Sequence, residues 1–244
     1  MKQPKISIII PVYNHARELF NCLESVLWQN FQDFEVIIID DGSTDNILKI
    51  IKKQKKDFEF QNLSLKIIQQ ENQGSNVARN NGFRKSKGEY VIFLDADIMM
   101  KNSMLEKMLK VLQENRDRSY VYSSFKFGFK TFKLWKFDAK KLKQMPYIHT
   151  SSLIRRECFT GFDEKIKKLQ DWDLWLTMLK KGYEGIWISE VLFKVSVNFL
   201  RGGISVWLPS FFYKIPWQKF GIRIKEVEKY KNAVEIIKKK YNFN

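Results

Sequence analysis

The stretch Tyr90-Val91-Ile92-Phe93-Leu94-Asp95-Ala96-Asp97 decides the fold. Its unbroken run of strand-forming apolar residues argues a β-strand buried on both faces, ending in two carboxylates one small residue apart. Such a strand belongs in the middle of a sheet with its acidic end at the rim. In an extended backbone residues i and i+2 point the same way, so Asp95 and Asp97 could both reach one ligand, with Ala96 adding no bulk between them. Two hard oxygen donors at that spacing suit Mg²⁺ or Mn²⁺. A strand that merely runs into an Asp-rich turn explains the tripeptide equally well, so the flanking sequence has to decide.

Upstream the pattern is β then α, three times over. Ile6 to Ile10 is a β-branched run closed by Pro11, followed by Val12-Tyr13-Asn14 and a helical spacing through Leu19, Leu23, Val26 and Leu27. Val36 to Ile39 is the second strand, Asp40-Asp41-Gly42-Ser43-Thr44-Asp45 a turn of helix-capping types, and Ile47, Leu48 and Ile51 the next helix face. Leu65 to Ile68 is the third, with the loop Glu71-Asn72-Gln73-Gly74 and a helix through Val77, Ala78 and Phe83 that ends near Gly88. Tyr90 to Leu94 follows as the fourth strand, and Met104, Met108, Val111 and Leu112 mark the helix after it. This alternation argues a parallel sheet with right-handed crossovers and helices on both faces. Four polar loops then fall at the carboxyl ends of their strands, where open α/β sheets bind ligands.

There is no Gly-x-Gly-x-x-Gly after the first strand and no Gly-Lys-Ser/Thr phosphate loop, which argues against dinucleotide oxidoreductases and P-loop NTPases. A phosphate-bearing ligand would need a metal or an Arg to neutralise it, and the Asp pair with Arg79 could supply both.

The Asp-x-Asp strand end, Pro11-Val12-Tyr13-Asn14, Asp40 to Asp45, and Ala78-Arg79-Asn80-Asn81-Gly82 together resemble the family 2 inverting glycosyltransferases of the GT-A fold, across roughly residues 6 to 115. The resemblance implies a Rossmann-like, mostly parallel sheet flanked by helices, and a nucleotide-sugar donor held by these loops, most commonly a UDP-sugar. Pro11, Tyr13 and Asn14 would line the donor site, Asp41 with Asp40 would meet the base, and Arg79 the base or diphosphate. Asp95 would hold the ribose and Asp97 the metal, Mn²⁺ or Mg²⁺.

The second half carries weaker signals. Phe125 to Leu134 alternates aromatics with lysines, as a strand or ribbon with one apolar and one cationic face. From Lys126 to Lys143 seven lysines stand against Asp138 alone. They are a solvated edge that discourages sheet pairing, or an acceptor-side surface facing lipid phosphates or an anionic glycan. His149 to Asp163 again looks like the family, and His149 without a cluster of partners reads as a structural or acceptor-side residue rather than a metal ligand.

Leu169 to Leu176 opens a helix with Trp172, Trp175, Leu176 and Leu179 on one buried stripe. On helix geometry alone Asp171 is an N-cap and Asp173 a first-turn acid pointing elsewhere. The family resemblance instead makes Asp171 the catalytic base, which removes the proton of an acceptor hydroxyl. Thr177 stands where the family often has Arg. A family loop with His corresponds here to Arg201-Gly202-Gly203-Ile204-Ser205, which leaves Arg201 for any lid contact.

The chain divides, on this reading, into a catalytic domain over 1–205, with a donor half at 6–115 and an acceptor half at 116–205, and a short basic, aromatic C-terminal helical tail over 206–244. The tail either docks on the domain or lies at a membrane interface.

A chain of 244 residues with 44% hydrophobic residues and 15% aromatics buries a substantial core, so its formal charge of +16 sits on a surface. That excess suits an anionic membrane surface or phosphate-bearing partner. Nucleic acid is disfavoured, because a rim of acids repels phosphate in the absence of a metal. Cys22 and Cys158 form no disulfide framework and favour a reducing compartment. No room for a signal peptide precedes the strand at Ile6, and no apolar run reaches about 18 to 20 residues. The expected location is cytoplasmic, peripheral at the inner face of the membrane, acting on a glycan or lipid-linked acceptor in cell-surface polysaccharide synthesis. The rival readings are nucleotidyl transfer to a sugar phosphate and a non-enzymatic basic module binding membrane or nucleic acid.

Overall fold

A computed structural model describes residues 3–196, 215 and 223–243. Its elements in chain order are β1 (Ile6–Val12), α1 (Ala16–Leu27), β2 (Phe34–Asp40), α2 (Ile47–Phe60), β3 (Ser64–Gln69), α3 (Ser75–Lys85), β4 (Tyr90–Phe93) and β5 (Ile98–Met100). There follow α4 (Met104–Glu114), β6 (Tyr120–Phe127), β7 (Lys130–Phe132), α5 (Ala139–Gln144), β8 (Leu153–Arg155), α6 (Gln170–Lys180), β9 (Gly185–Val195) and α7 (Lys225–Tyr241).

The sheet runs β3-β2-β1-β4-β8-β6-β9-β5, with β7 hairpinned onto β6. Its first four strands are parallel, and β1 and β2 are buried along their whole length, as apolar runs covered on both faces must be. The faces of β2 separate cleanly. Ile37 and Ile39 pack with Ala78 of α3 on one side, while Val36 and Ile38 belong to the main core on the other. A Cβ on Gly82 of α3 would stand 2.4 Å from Cγ2 of Ile9, so that glycine lets the helix lie against β1. Pro11 continues β1 instead of closing it. The pairing of β1 with β4 ends at Ile9, so the missing proline N–H breaks no bond to β4.

Beyond β4 the sheet is mixed. β8 is antiparallel to β4 and β6, β9 is parallel to β6 through an irregularity at Ser123 and Ser124, and β5 closes the far edge antiparallel to β9. This differs from the expected helix directly after the fourth strand. The turn after β4 carries the chain to β5, with three strands between them in sheet order, which curls the sheet around its acidic rim.

The expected ribbon is the β6–β7 hairpin. Phe125 pairs with Phe132, ring stacked on ring at 4.9 Å, while Lys126 pairs with Thr131 on the other face. α7 lies on the catalytic unit: Ile237 is fully buried in the main core, and Val227 and Ala233 are buried beside it. Among the described residues no helix is long and apolar enough to cross a membrane. Arg201 and most of the aromatic segment from Val206 to Ile222 lie outside the described residues.

Candidate active site

Strand order reverses at β1, whose neighbours are β2 on one side and β4 on the other, and the crevice at such a switch point receives the loops after β1, β2 and β4. Hydrogen bonds stitch these loops to one another. Asn14, in the left-handed region at φ 55°, donates its N–H to Ser43 Oγ (3.0 Å) and accepts from Thr44 N (2.8 Å). Asp45 accepts from Ala16 N (2.9 Å) and so caps α1 from the neighbouring loop. Tyr13, 46% exposed, is left as an open aromatic face on the rim, while Pro11 is buried in β1.

Asp40 and Asp41 are buried and heavily engaged within the protein. Asp40 accepts from Ser43 N (2.9 Å) and Gln69 Nε2 (3.2 Å). Asp41 accepts from Gln70 Nε2 (2.8 Å), Gln73 N (2.9 Å) and Gly74 N (2.8 Å), fixing the entry to α3. The family-based expectation puts these carboxylates against the base; the bonds they make within the protein tie together the loops after β2 and β3.

Asp95 and Asp97 do not lie on an extended strand. β4 ends at Phe93 and Ile98 N donates to Asp95 O (3.0 Å), so a turn, and not the i, i+2 alternation of a strand, sets the relation of the two acids. The two then differ sharply. Burial works to raise the Asp95 carboxyl, but the Arg79 guanidinium, donating through Nη2 at 2.5 Å, outweighs it and holds the group below the usual carboxylate range. Burial and the neighbouring Asp95 charge push Asp97 up to about 7, with Glu18 of α1 adding to the effect. Cys22 lies beneath this turn with Sγ 3.8 Å from Asp95 O, and burial followed by the Asp97 and Asp95 charges drives its thiol up.

Arg79 is itself buried in α3, steadied by Ser75 Oγ and Asn76 Oδ1 (both 3.2 Å) and lying 5.2 Å from the Phe162 ring centroid. Its Nε is buried with no partner among the described residues, an unmet donor beside Asp95. The same polar helix holds the loop that leads to α6. Asn76 Nδ2 donates to Asp163 O (2.8 Å) and Ile166 O (2.9 Å), and Asn80 both donates to Phe162 O and accepts from Phe162 N (2.9 Å each).

That loop delivers Asp171. The N-cap of α6 is Leu169, at φ 61°, and not Asp171, which is the second helical residue and accepts from Trp172 N (2.8 Å). Burial raises the Asp171 carboxyl, partly opposed by His149. His149 lies against the rings of both Phe125 (5.4 Å) and Phe193 (5.1 Å) and accepts from Ser151 N through Nδ1 (3.1 Å). Burial holds its imidazole below the ordinary range, while Asp95 and Asp171 pull the other way. A neutral ring accepting at Nδ1 carries its proton on Nε2. Two Trp indoles anchor the helix beneath this group: Trp172 Nε1 donates to Leu142 O (2.6 Å) and Trp175 Nε1 to Ile148 O (2.9 Å).

Asp173 points away from Asp171, as helix geometry requires, into a latch made by α7. Lys240 Nζ donates to Asp173 Oδ1 (2.7 Å) and Asp163 Oδ2 (2.8 Å), and the Tyr241 hydroxyl lies 2.8 Å from Asp173 Oδ1 and 2.7 Å from Thr177 Oγ1. Thr177, the departure from the family pattern, is thus a packing residue for the tail helix. Glu18, Asn76, Asn80 and Lys240 carry no signal in the sequence, since lone polar residues in helices read as solvent-facing. His149 was visible only as an unpaired histidine.

Among the described residues no group of three or more His, Cys, Asp or Glu side chains is set to hold a metal ion. Two carboxylates nevertheless fit a Mg²⁺- or Mn²⁺-type ion that completes its shell with water and donor phosphate oxygens.

A curled α/β sheet with an acidic turn at its switch point defines the GT-A class of sugar-transferring enzymes. Residues 7–169 match the model of Glycosyl transferase family 2, and the chain belongs to that family. TuaG of Bacillus subtilis, a putative teichuronic acid biosynthesis glycosyltransferase, is 30% identical over 209 residues, 78% of either chain. Other relatives are much longer than the stretch they share, the chain covering 17%, 38% and 18% of three of them. Among solved structures, S. aureus TarS 1-349 in complex with UDP-GlcNAc superposes with a TM-score of 0.68 at 22% identity, over 86% of this chain and 64% of that one. The mannosyltransferase PcManGT of Pyrobaculum calidifontis, in complex with GDP-Man and Mn²⁺, gives 0.66 at 20% identity, over 82% and 59%. At these identities the likeness is one of fold.

Proposed function

We propose that the protein transfers a sugar from a nucleoside diphosphate donor, a UDP-sugar, to a hydroxyl of a glycan or lipid-linked acceptor with inversion, in cell-surface polysaccharide synthesis. One observation carries the reading: Arg79, Asp95, Asp97, His149 and Asp171, from α3, the β4–β5 turn, the β8 approach and α6, act on one another electrostatically in one crevice. The names of TuaG, which refers to teichuronic acid biosynthesis, and of the UDP-GlcNAc complex of TarS support the polymer and donor classes.

Tyr13 stacks on the base, within the frame set by Asn14, Asp40 and Asp41 against the wall that Pro11 supports. Asp95, held ionised by Arg79, accepts from the ribose hydroxyls. The unmet Nε–H of Arg79 faces the diphosphate side. Asp97 would hold a Mn²⁺ or Mg²⁺ ion, which when bound offsets the charge of the departing diphosphate. Asp171, its carboxyl raised by burial, takes the acceptor hydroxyl proton as that oxygen attacks the anomeric carbon opposite the leaving group. No covalent enzyme intermediate is needed.

The test is calorimetric titration of UDP, GDP and CDP with Mn²⁺ and with chelator, on wild type and Asp97→Ala. Metal-assisted binding of UDP, weakened in the variant, is the expected result. Absence of binding for every nucleotide overturns the donor reading.

A further inference from the structure

The β6–β7 hairpin leaves the cleft and ends in a bare aromatic ring. At its root Phe125 lies against His149 and stacks on Phe132 and Phe193. At its tip Gly128 turns the chain at φ 55° and Phe129 is 100% exposed. The strand runs two residues beyond Phe125, about 7 Å at roughly 3.3 Å each, before the turn of Gly128 and Phe129.

Along the segment that carries the tip, residues 126–143, the charge is one-sided. Lys126, Lys133, Lys136, Lys140 and Lys143 are exposed and make no ion pair with a described residue. Lys5, Lys66 and Lys107, by contrast, each sit on a carboxylate. Asp138, the one acid of the segment, is used as the cap of α5, accepting from Lys141 N at 3.0 Å. An edge strand that only needs to block pairing uses lysine and has no need of an uncovered Phe. A nucleic-acid or glycan strand would need a groove with successive stacking platforms, and a single ring on a convex tip offers none. A bare ring in a segment rich in unpaired ammonium groups does match a bilayer interface, where the ring enters the headgroup boundary and the lysines meet lipid phosphates.

We propose that the Phe129 hairpin docks on an anionic phospholipid surface and so holds the acceptor side of the cleft toward that surface. Docking stands on the hairpin alone; only its use, in meeting a lipid-borne acceptor, rests on the transfer reading.

The experiment is sedimentation of the full chain with phosphatidylcholine vesicles, with and without phosphatidylglycerol. The variants are Phe129→Ser and the triple Lys126→Gln, Lys133→Gln, Lys136→Gln. Wild type should bind the anionic vesicles in preference, and binding should weaken as salt rises. The triple variant should partition about 100-fold less, near fivefold per lysine, and Phe129→Ser about tenfold less. Thermal unfolding and UDP titration on the same variants show whether folding and the donor site are intact. Vesicle binding unchanged in both variants overturns the proposal, as does wild type that prefers heparin or single-stranded nucleic acid and loses that preference in the triple variant. Failure of wild type to bind UDP would instead sink the transfer reading and leave the vesicle result standing.

Discussion

Lys240→Met tests whether the tail helix is part of the machine that holds the base. Lys240 makes two charge-assisted bonds of unequal value. Asp163 has a side chain 32% exposed, so its 2.8 Å contact resembles a surface pair and is worth about 0.5 kcal/mol. Asp173 is 3% exposed, and stripping the partner from a buried carboxylate costs about 3 to 5 kcal/mol in full. Two features reduce that figure. Lys240 is itself 33% exposed, so water screens the pair, and the Tyr241 hydroxyl remains 2.8 Å from the same carboxylate oxygen. A net loss of about 2 kcal/mol follows, or a fall in Tm of roughly 4 to 8 °C for a chain of this length. Urea and thermal unfolding of wild type, Lys240→Met, Asp173→Asn and the double variant form a cycle, and a coupling above about 1 kcal/mol is expected for residues in contact. Donor titration should change little while transfer slows, because the latch backs α6 and not the loops around β1. A Lys240→Met protein within about 0.5 kcal/mol of wild type, a surface-substitution effect, would show that α7 does not brace the α6 helix and would remove the physical basis for joining residues 223–243 to the catalytic unit.

Asp171→Asn should cut transfer by about 10² to 10⁴, the usual contribution of a general base, with UDP binding retained on calorimetry; full activity would end its role. Transfer by wild type should rise with pH through the raised titration of Asp171, and a pH–rate profile of kcat checks this. For Asp97 the sign runs the other way for stability. Its folded carboxyl titrates near 7, above its unfolded value, so the metal-free protein is most favoured at acid pH and loses that contribution as pH rises through about 7. Thermal unfolding in chelator from pH 5 to 8 should show the decline, and Asp97→Asn should flatten it. Gly82→Ala would place a methyl 2.4 Å from Cγ2 of fully buried Ile9, costing about 1 to 3 kcal/mol of overpacking against at most about 1 kcal/mol gained in helix propensity; a more stable variant on urea unfolding would contradict the close packing of α3 on β1.

The parallel half of the fold was legible because its signals are local: Ile6 to Ile10 and Val36 to Ile39 are continuous apolar runs, and each is followed by a cap-forming loop. The mixed half was not. β5 is three residues, Ile98–Met100, directly after an acidic turn, and its partner β9 lies about a hundred residues later, so no window of sequence contains the pairing. The hairpin from Phe125 to Phe132 was visible in alternation, but its place beside His149 depends on β9 running parallel to β6. Asp95 and Asp97 were rightly grouped and wrongly explained, since a turn and not strand alternation governs their geometry. Asp171 was reached through the family resemblance; its own helix gives it no distinction from Asp173, which is the more buried of the two and serves α7.

The distribution of charge links these parts. The crevice is acidic in a protein of formal charge +16. Arg79 is spent on Asp95, His149 is neutral, and Asp97 is left to share a buried turn with a like charge and with Glu18 nearby. On the proposed transfer reading, a nucleoside diphosphate entering alone would add repulsion that a divalent cation arriving with it would offset. The unpaired lysines meanwhile lie along residues 126–143, apart from these groups. On the proposed readings they would attract an anionic surface without neutralising the diphosphate. A lysine placed beside Asp97 would instead pair with it and compete with a divalent cation. The separation of the two charges would thus let one small domain hold an anionic donor and an anionic surface at once.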